Sequence, residues 1–260
     1  MELEMLYATY GDRINQLLLN LPESSDKLKI IIVHQVDDVC HNAQHLFSHR
    51  SDVKYFMMLD KGVTKSRNFA LQQATADIIL FCDDDVLYEN FFDELIELYE
   101  KNPLISGITL NYSTPKYGIS SKFKNKPYIH TLRTILSVGT IEVSVRLSSV
   151  RTSAAIFPEE LGAGAKFYCC DEPVFLSRLI KCGFDMMYFP LSVGVHPDIS
   201  SGLEINNYHA LFSRLIAFRH IYGYFGGTAF FYLFCVKNFY KLSPKLLLIS
   251  IFSIFNVSPR

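Results

Sequence analysis

The feature that most constrains this chain is a short apolar run that ends in three acidic residues, IILFCDDDV over Ile78–Val86. A run of this length is typical of a strand buried on both faces of a parallel sheet. Such strands carry their last residues to the C-terminal edge of an open α/β sheet, where ligands bind. We therefore expect Asp83, Asp84 and Asp85 to meet at this edge, where a divalent cation would relieve their mutual repulsion. The alternative is a solvated acidic turn that follows a core strand.

Three more apolar runs precede this strand, and helical periodicity follows two of them. The runs are Met5–Thr9, Leu28–Val33 and Val53–Leu59, and the helical segments are Arg13–Leu21 and Lys65–Ala74. Asp12 and Thr64 are of the residue types that cap helices, and we expect both to do so. The alternation predicts an α/β fold with a mostly parallel central sheet flanked by helices. Because no GxGxxG or GxxxxGK motif occurs, a nucleotide would be bound by the loops after several strands.

The second half of the chain has weaker periodicity. We expect helices at Asn90–Lys101 and Val174–Cys182, strands at Gly107–Asn111, Met186–Phe189 and Val193–Val195, and strands or an irregular rim over Ser144–Phe157. Gly183 is expected to end the second helix. Residues 113–130 show little periodicity and are long for a loop, which is typical of a functional or disordered segment.

Charge is unevenly distributed along the 260 residues, although the formal net charge is −1. No acidic residue lies between Glu100 and Glu142, and none follows Glu204. The first of these basic zones contains Lys122, Lys124 and Lys126. One-sided basic zones indicate contact with an anionic partner such as a phosphate or a lipid headgroup. The alternative for the first zone is a solvated, mobile loop.

The six cysteines show neither CxxC spacing nor the pattern of a disulfide framework. Together with an N-terminus that lacks signal-peptide character, they predict free thiols in a reducing compartment.

Two further sites carry potential chemistry. Asp171 and Glu172 begin a predicted helix just after the glycine-containing turn LGAGA over residues 161–165, and His196 follows a predicted strand. The dipole of a helix stabilises carboxylates at its N-terminus, so a structural role alone would explain the acidic pair. A lone histidine before a proline is also most often structural.

Taken in order, three segments resemble the inverting glycosyltransferases of family 2, which have the GT-A fold. They are GVTKSRNFALQQATADIILFCDDDV, LGAGAKFYCCDEPVFLSRLIKCGFDMMYFP and VGVHP, and they carry an S-R-N helix, a D-x-D strand end, a glycine-rich turn, an acidic pair with a following arginine, and a late histidine. The resemblance covers roughly residues 3–200.

The resemblance implies roles for individual residues. It implies that the nucleotide-sugar is bound by Thr9, Tyr10, Gln35, Asp37, Lys65, Arg67, Asp83 and Asp84, and that Mn²⁺ or Mg²⁺ is bound by Asp83, Asp85 and His196. The resemblance further implies that the catalytic base is Glu172, since the family's base stands six residues before the arginine that corresponds to Arg178. Asp171 is the reserve candidate, because the order here is D-E rather than E-D. The acceptor is expected near Gly162 and Gly164 and near Lys122, Lys124 and Lys126.

The implied function is metal-dependent, inverting transfer of a sugar from a nucleotide-sugar, by default UDP-linked. The acceptor would be a saccharide, lipid-linked through a diphosphate, in surface polysaccharide assembly. A basic zone suits such an acceptor. One alternative is a haloacid-dehalogenase-like phosphatase, whose D-x-D motif normally ends the first strand rather than a later one. Another is a non-catalytic nucleotide-sugar-binding scaffold at the membrane.

The C-terminal part of the chain is apolar, aromatic and basic. Its two apolar runs, Tyr224–Val236 and Leu246–Val257, are shorter than the roughly 20 residues that a spanning helix needs. We expect a GT-A domain over residues 1–205 and a membrane-associating helical tail over residues 206–260. The tail would lie on the inner face of the cell membrane. The alternative is a helical pair packed on the core or in a dimer interface.

Overall fold

The order of the strands brings the carboxyl ends of the apolar runs to one edge of a single sheet. The structure, a computed structural model, describes residues 1–198 and 205–252, with the side chains of residues 249–252 left aside. The strands are β1 Leu3–Tyr10, β2 Leu28–Gln35, β3 Val53–Met58, β4 Ile78–Asp83, β5 Leu87–Tyr88, β6 Gly107–Thr114, β7 Gly118–Ile119, β8 Tyr128–Ile129, β9 Val143–Arg146 and β10 Met186–Val195. The helices are α1 Arg13–Asn20, α2 Val63–Gln73, α3 Phe92–Lys101, α4 Leu147–Ser153, α5 Asp171–Lys181, α6 Tyr208–Lys237 and α7 Pro244–Phe252.

The sheet has the order β3-β2-β1-β4-β9-β6-β10-β5, with β7 on β6 and β8 on β10. β1 pairs in parallel with β2 and β4, β2 with β3, and β6 with β10. β9 is antiparallel to both β4 and β6, so the six longest strands all point the same way. The predicted α/β class with a mostly parallel sheet is confirmed.

Helices cover both faces of this sheet, which explains why its central strands are continuously apolar. In β4, Leu80 and Cys82 belong to one core cluster with Leu17 of α1, whereas Ile79 and Phe81 belong to another with helices α2 and α5. Because alternate residues of a strand point to opposite faces, a strand with a core on each side must be apolar throughout.

Several local predictions need correction. Asp12 stands at the N-cap of α1, but its side chain makes no capping hydrogen bond. α2 begins at Val63 after Gly62, so Thr64 lies inside the helix, where its hydroxyl donates to the Leu161 carbonyl. The expected rim over Ser144–Phe157 contains β9 followed by helix α4. The two short strands expected at 186–195 form the single strand β10, which contains Pro190.

The C-terminal helix α6 is a hairpin of two helical halves. Gly223 has non-helical backbone angles (φ 76°, ψ 172°), and beyond it the chain turns back. Gly227 lies directly against the backbone of Phe218 and Arg219, where a Cβ would collide. The rings of Tyr222 and Phe230 stack 4.4 Å apart across the turn.

The first half of this hairpin shares a core with the rest of the fold. Leu211, Phe212 and Leu215 pack with Leu161 and Val174 in one cluster. No helix among residues 1–198 and 205–252 is both long enough and apolar enough to cross a membrane. The division of the chain near residue 205 stays a prediction, and part of the second predicted apolar run lies outside the described residues.

Candidate active site

The sheet register places the predicted ligands at one edge. Tyr10 pairs with Gln35 and Ala8 pairs with Asp83, so the ends of β1, β2 and β4 lie side by side. The hydroxyl of Thr9 donates to Asp84 at 2.6 Å across this edge. These strand ends therefore form the floor of a common site.

Arg67 of α2 joins this edge to the start of α5. Its guanidinium is buried and donates to Asp171 (2.7 Å) and Glu172 (3.4 Å) from Nη1, and to Asp83 (3.2 Å) and Thr140 (2.8 Å) from Nη2. The carboxylates of β4 and of α5 thus meet around one cation, as the resemblance implies. Asn68, the next residue, holds the Phe157 backbone through both its amide atoms.

Arg13 is a second cation in the site, and sequence reasoning missed it. From α1 it contacts Asp84 closely and Asp85 at 3.0 Å. A lone arginine in an amphipathic helix carries no signal of a contact 71 residues away. Arg13 and Arg67 together face five carboxylates, namely Asp83, Asp84, Asp85, Asp171 and Glu172.

This excess of acid has consequences for protonation. Burial raises the pKa of Asp83, although Arg67 opposes the effect. Burial also raises the pKa of Asp84, although the hydrogen bond from Thr9 and the charge of Arg13 act to lower it. Burial and the neighbouring Glu172 raise the pKa of Asp171 to about 7. The site is therefore short of positive charge and would gain from a bound cation.

The carboxylate oxygens at this edge are suitable ligands for a hard divalent cation, although they do not yet converge on a common point. Asp83 and Asp85 are partly exposed, and carboxylate oxygens are the ligands that Mg²⁺ and Mn²⁺ prefer. Among the described residues, no group of three or more His, Cys, Asp or Glu side chains is already arranged to hold a metal ion. A cation at Asp85 would displace Arg13, which now occupies that carboxylate.

His196 follows β10 at the same edge. Val195 pairs with Leu87, so His196 lies beside the segment that leads from Asp85 into β5. Its Nδ1 is 2.6 Å from the carbonyl of Pro197, which can only accept, so Nδ1 carries the proton. Nε2 therefore holds the lone pair that a metal or a diphosphate donor could use.

Two of the residues predicted to hold the nucleotide, Tyr10 and Asp37, form an exposed patch at the ends of β1 and β2, whereas Thr9 and Gln35 are buried. Tyr10 donates to Asp37 at 2.7 Å, and Lys61 pairs with Asp37 at 2.7 Å while lying over the Tyr10 ring. Lys61, then Tyr10, lower the pKa of Asp37. Gln35 accepts from the Gly62 backbone at 2.7 Å and so anchors the loop before α2.

Lys65 lies in the first turn of α2, within 3.6 Å of Asp60. The Lys65 side chain is partly exposed, and the N-terminus of α2 lies at this edge of the sheet.

The glycine-containing turn at residues 161–165 ties α2 to α5. Gly162 has φ +93°, and a Cβ there would lie 2.8 Å from Val63, 2.9 Å from Thr64 and 3.1 Å from Asp171. At Gly164, with φ +81°, a Cβ would lie 3.3 Å from the backbone of Gly62. Both glycines are therefore required for close packing beside the acidic pair.

The predicted acceptor lysines differ in their surroundings. Lys122 contacts the buried Glu142 closely, donates to the Ser137 carbonyl at 3.3 Å, and lies over the rings of Tyr112 and Phe123. Lys122 therefore connects the segment after β7 to the residues that precede β9. Lys124 and Lys126 are exposed and form no ion pair with a described residue.

Comparison with known proteins identifies the family and the fold of the chain. A sequence profile of glycosyl transferase family 2 matches residues 6–145, which is more than half of the chain. No curated protein sequence matches the chain.

Solved structures of TarS from S. aureus share the fold. One TarS structure has a TM-score of 0.63 at 14% identity and covers 83% of this chain and 38% of TarS. Residues 1–349 of TarS in complex with UDP-GlcNAc give a TM-score of 0.64 at 15% identity, with 85% of this chain and 66% of that chain covered. The chain thus spans less than two fifths of the first TarS chain.

The matched profile includes Arg67 and the aspartates of β4, and the sheet has the GT-A architecture. The chain belongs to glycosyl transferase family 2.

Proposed function

We propose that this protein is a glycosyltransferase that moves a sugar from a nucleotide-sugar to an acceptor hydroxyl in one inverting displacement, with Glu172 as the base. The observation that supports this proposal is the meeting of Glu172 with Asp83, the last residue of β4, around Arg67. In the reaction, the acceptor oxygen bonds to the anomeric carbon while the bond from that carbon to the diphosphate breaks. The acceptor proton passes to Glu172, and the nucleoside diphosphate leaves.

Glu172 is preferred over Asp171 because of its exposure. The Asp171 side chain is 4% exposed and accepts a hydrogen bond from Arg67 at 2.7 Å. The Glu172 side chain is 15% exposed and reaches the open part of the site. A base must come within hydrogen-bond distance of the acceptor hydroxyl, which favours the more accessible carboxylate.

The proposed donor is a uridine diphosphate sugar. Crystal structures of TarS residues 1–349 contain UDP-GlcNAc or UDP, which supports this nucleotide for a chain of the same fold. Tyr10, Asp37 and Lys61 would bind the nucleoside at the ends of β1 and β2. Arg67 and Lys65 would face the diphosphate, whose charge they complement.

We further propose that Mn²⁺ or Mg²⁺ is bound by Asp83 and Asp85, with His196 as an additional ligand. When bound, the cation would neutralise charge that develops on the departing diphosphate. The excess of carboxylates over arginines supports the proposal. Binding would release protons from carboxylates whose pKa is raised, so metal affinity is expected to increase with pH.

The proposed acceptor is a saccharide carried on a lipid diphosphate, used in surface polysaccharide assembly on the inner face of the cell membrane. Lys124 and Lys126 are free to meet such an anionic group, next to Lys122 at the site edge. The C-terminal hairpin supports this location, because its second half exposes apolar side chains among lysines.

The test of the base is Glu172→Gln. We expect release of UDP from the donor to fall by about 100-fold or more, since general-base catalysis contributes on this scale. Binding of the donor, measured by calorimetry with Mn²⁺, is expected to be kept. Glu97→Gln on the exposed face of α3 is the matched control.

Near wild-type turnover in Glu172→Gln would place the base elsewhere. A wild-type protein that binds UDP-sugars but turns over none of them, with water or with acceptors, would favour the scaffold alternative.

A further inference from the structure

Thr140 lies at the centre of the site but belongs to none of the sequence motifs. It sits in a short helical turn between the segment after β8 and strand β9, and its side chain is buried. Its hydroxyl accepts from Arg67 Nη2 at 2.8 Å and lies in close contact with Glu172 Oε1.

The direction of the Thr140 proton follows from its partners. A guanidinium can only donate, so Arg67 occupies a lone pair of the Thr140 oxygen. The ionised carboxylate can only accept, so the Thr140 proton points at Oε1 of Glu172. Arg67 Nη1 donates to that same oxygen at 3.4 Å.

The two oxygens of Glu172 are therefore unlike each other. Oε1 receives two hydrogen bonds from protein groups, whereas Oε2 receives none from a side chain among the described residues. From this asymmetry we propose that Thr140 is a positioning residue, which holds Glu172 so that Oε2 alone faces the acceptor and takes its proton. This inference rests on the proposed role of Glu172 as base.

The turn that carries Thr140 is itself fixed. The Glu142 carboxylate accepts from the Gly139 backbone at 3.2 Å and closes the turn on itself. Lys122 binds the same carboxylate oxygen. Ile141 is buried in the core beneath the turn. Thr140 is thus presented to Glu172 from a rigid support, as a positioning group requires.

The test compares Thr140→Val with Thr140→Ser. Valine keeps the size of the side chain but cannot donate, and serine restores the hydroxyl. For UDP release from UDP-GlcNAc, UDP-glucose and UDP-galactose, we expect kcat of Thr140→Val to fall about 10- to 100-fold, since small misplacements cost this much. KM for the donor should change little, and Thr140→Ser should keep most of the wild-type kcat.

A second measurement needs no turnover. Labelling of carboxylates with a carbodiimide and glycine ethyl ester, read by mass spectrometry, reports how strongly each carboxylate is engaged. We expect Glu172 to label several-fold faster in Thr140→Val than in the wild type or in Thr140→Ser, while Glu97 labels equally in all three.

Equal kcat in Thr140→Val and wild type, or unchanged labelling of Glu172, would overturn the inference. Equal loss in the valine and serine variants would also overturn it, since that result indicates packing rather than the hydroxyl. A wild type that turns over no donor would count against the proposed function, while the labelling would still decide the role of Thr140.

Discussion

Arg67 is the residue on which the site depends most, because one buried guanidinium partners three carboxylates. An arginine presents several donors in a fixed plane and keeps its charge when buried. The coulombic attraction of Asp171, Asp83 and Glu172 keeps the pKa of Arg67 raised in spite of burial. The folded state therefore relies on this one cation to hold its acidic centre together.

Replacing Arg67 should lower the free energy of unfolding. Arg67→Met leaves buried carboxylates without their partner, and breaking a buried ion pair in this way costs about 3–5 kcal/mol. We expect a loss of this size in the free energy of unfolding measured by urea denaturation. Arg133→Met, at an exposed position, is the control and should change little. Wild-type stability in Arg67→Met would mean that the three acids are solvated.

Glu142 makes stability depend on pH. Burial raises its pKa to about 7 against the attraction of Lys122, so the folded state holds a proton that the unfolded state releases near pH 4.5. Stability from this group is complete below the unfolded pKa and is lost as pH rises towards 7, by about 1.4 kcal/mol per pH unit where the two states differ by one proton. Asp171, also raised to about 7, adds a change of the same sign.

We therefore expect the Tm of the wild type to fall as pH rises from 5 to 7.5. Glu142→Gln cannot ionise and should flatten this dependence, whereas the exposed Glu97→Gln should not. Differential scanning fluorimetry in matched buffers measures both. A Tm profile that is unchanged by Glu142→Gln would contradict the assignment of the buried proton.

At the scale of elements, the joint between α2 and α5 is the part of the fold that shapes the site. The turn at residues 161–165 packs its glycines onto the N-terminus of α2, and Val63 donates its backbone N–H to Ala163 at 2.9 Å. Because α2 carries Arg67 and α5 begins at Asp171, a shift at this joint moves the guanidinium relative to its carboxylates.

Gly162→Ala tests the joint. A Cβ at this position meets Val63, Thr64 and Asp171, and φ +93° is itself strained for alanine. We expect about 1–3 kcal/mol of destabilisation together with a reduced kcat. Gly183→Ala is the matched control, because Gly183 has φ +85° but open space around its Cβ position. Equal effects of the two substitutions on kcat would show that backbone strain alone is responsible.

Elements with strong periodicity were predictable, and elements set by long-range packing were not. β1, β2 and β4 can be recognised in the sequence as continuous apolar runs, because both of their faces are buried. Helix α4 was missed because its small and β-branched residues favour strands in isolation. The expected break in β10 at Pro190 did not occur. The turn of the C-terminal hairpin depends on Gly223, whose φ no periodicity reveals.

The residues of the candidate site also fall into a predictable and an unpredictable group. Asp83, Arg67 and Glu172 were found from motifs, and the structure brings them together. Arg13 and Thr140 were missed because each acts through a partner far away in sequence. A hydroxyl or a guanidinium in an unremarkable segment gives no sign of such a partner.

At the scale of the whole molecule, the C-terminal hairpin leaves one apolar face outside the core. Its most exposed members are Phe225, Leu233 and Val236, and the exposed Tyr240 follows in the short helical turn Phe239–Lys241. Exposed lysines, Lys237, Lys241 and Lys245, accompany this apolar face. Apolar side chains with a one-sided positive charge suit a surface of anionic lipids.

We expect the protein to sediment with vesicles rich in phosphatidylglycerol, less so at high salt, and weakly with neutral phosphatidylcholine vesicles. Phe225→Ser with Leu233→Ser should reduce this binding several-fold, while turnover of a soluble donor is kept. Leu104→Ser removes an equally exposed apolar side chain outside this face and serves as the control. Vesicle binding that the double substitution leaves intact would point instead to a protein partner for the face.

The reach of Arg67 along the chain also bears on how the molecule is made. Its partners lie 16, 73, 104 and 105 residues away in sequence. A chain still emerging from the ribosome can form β1, β2 and β4, yet Arg67 lacks two of its three carboxylate partners until α5 has been synthesised and docked. The acidic centre is therefore completed late in synthesis, and a ligand that binds only the complete centre would stabilise the folded molecule by mass action.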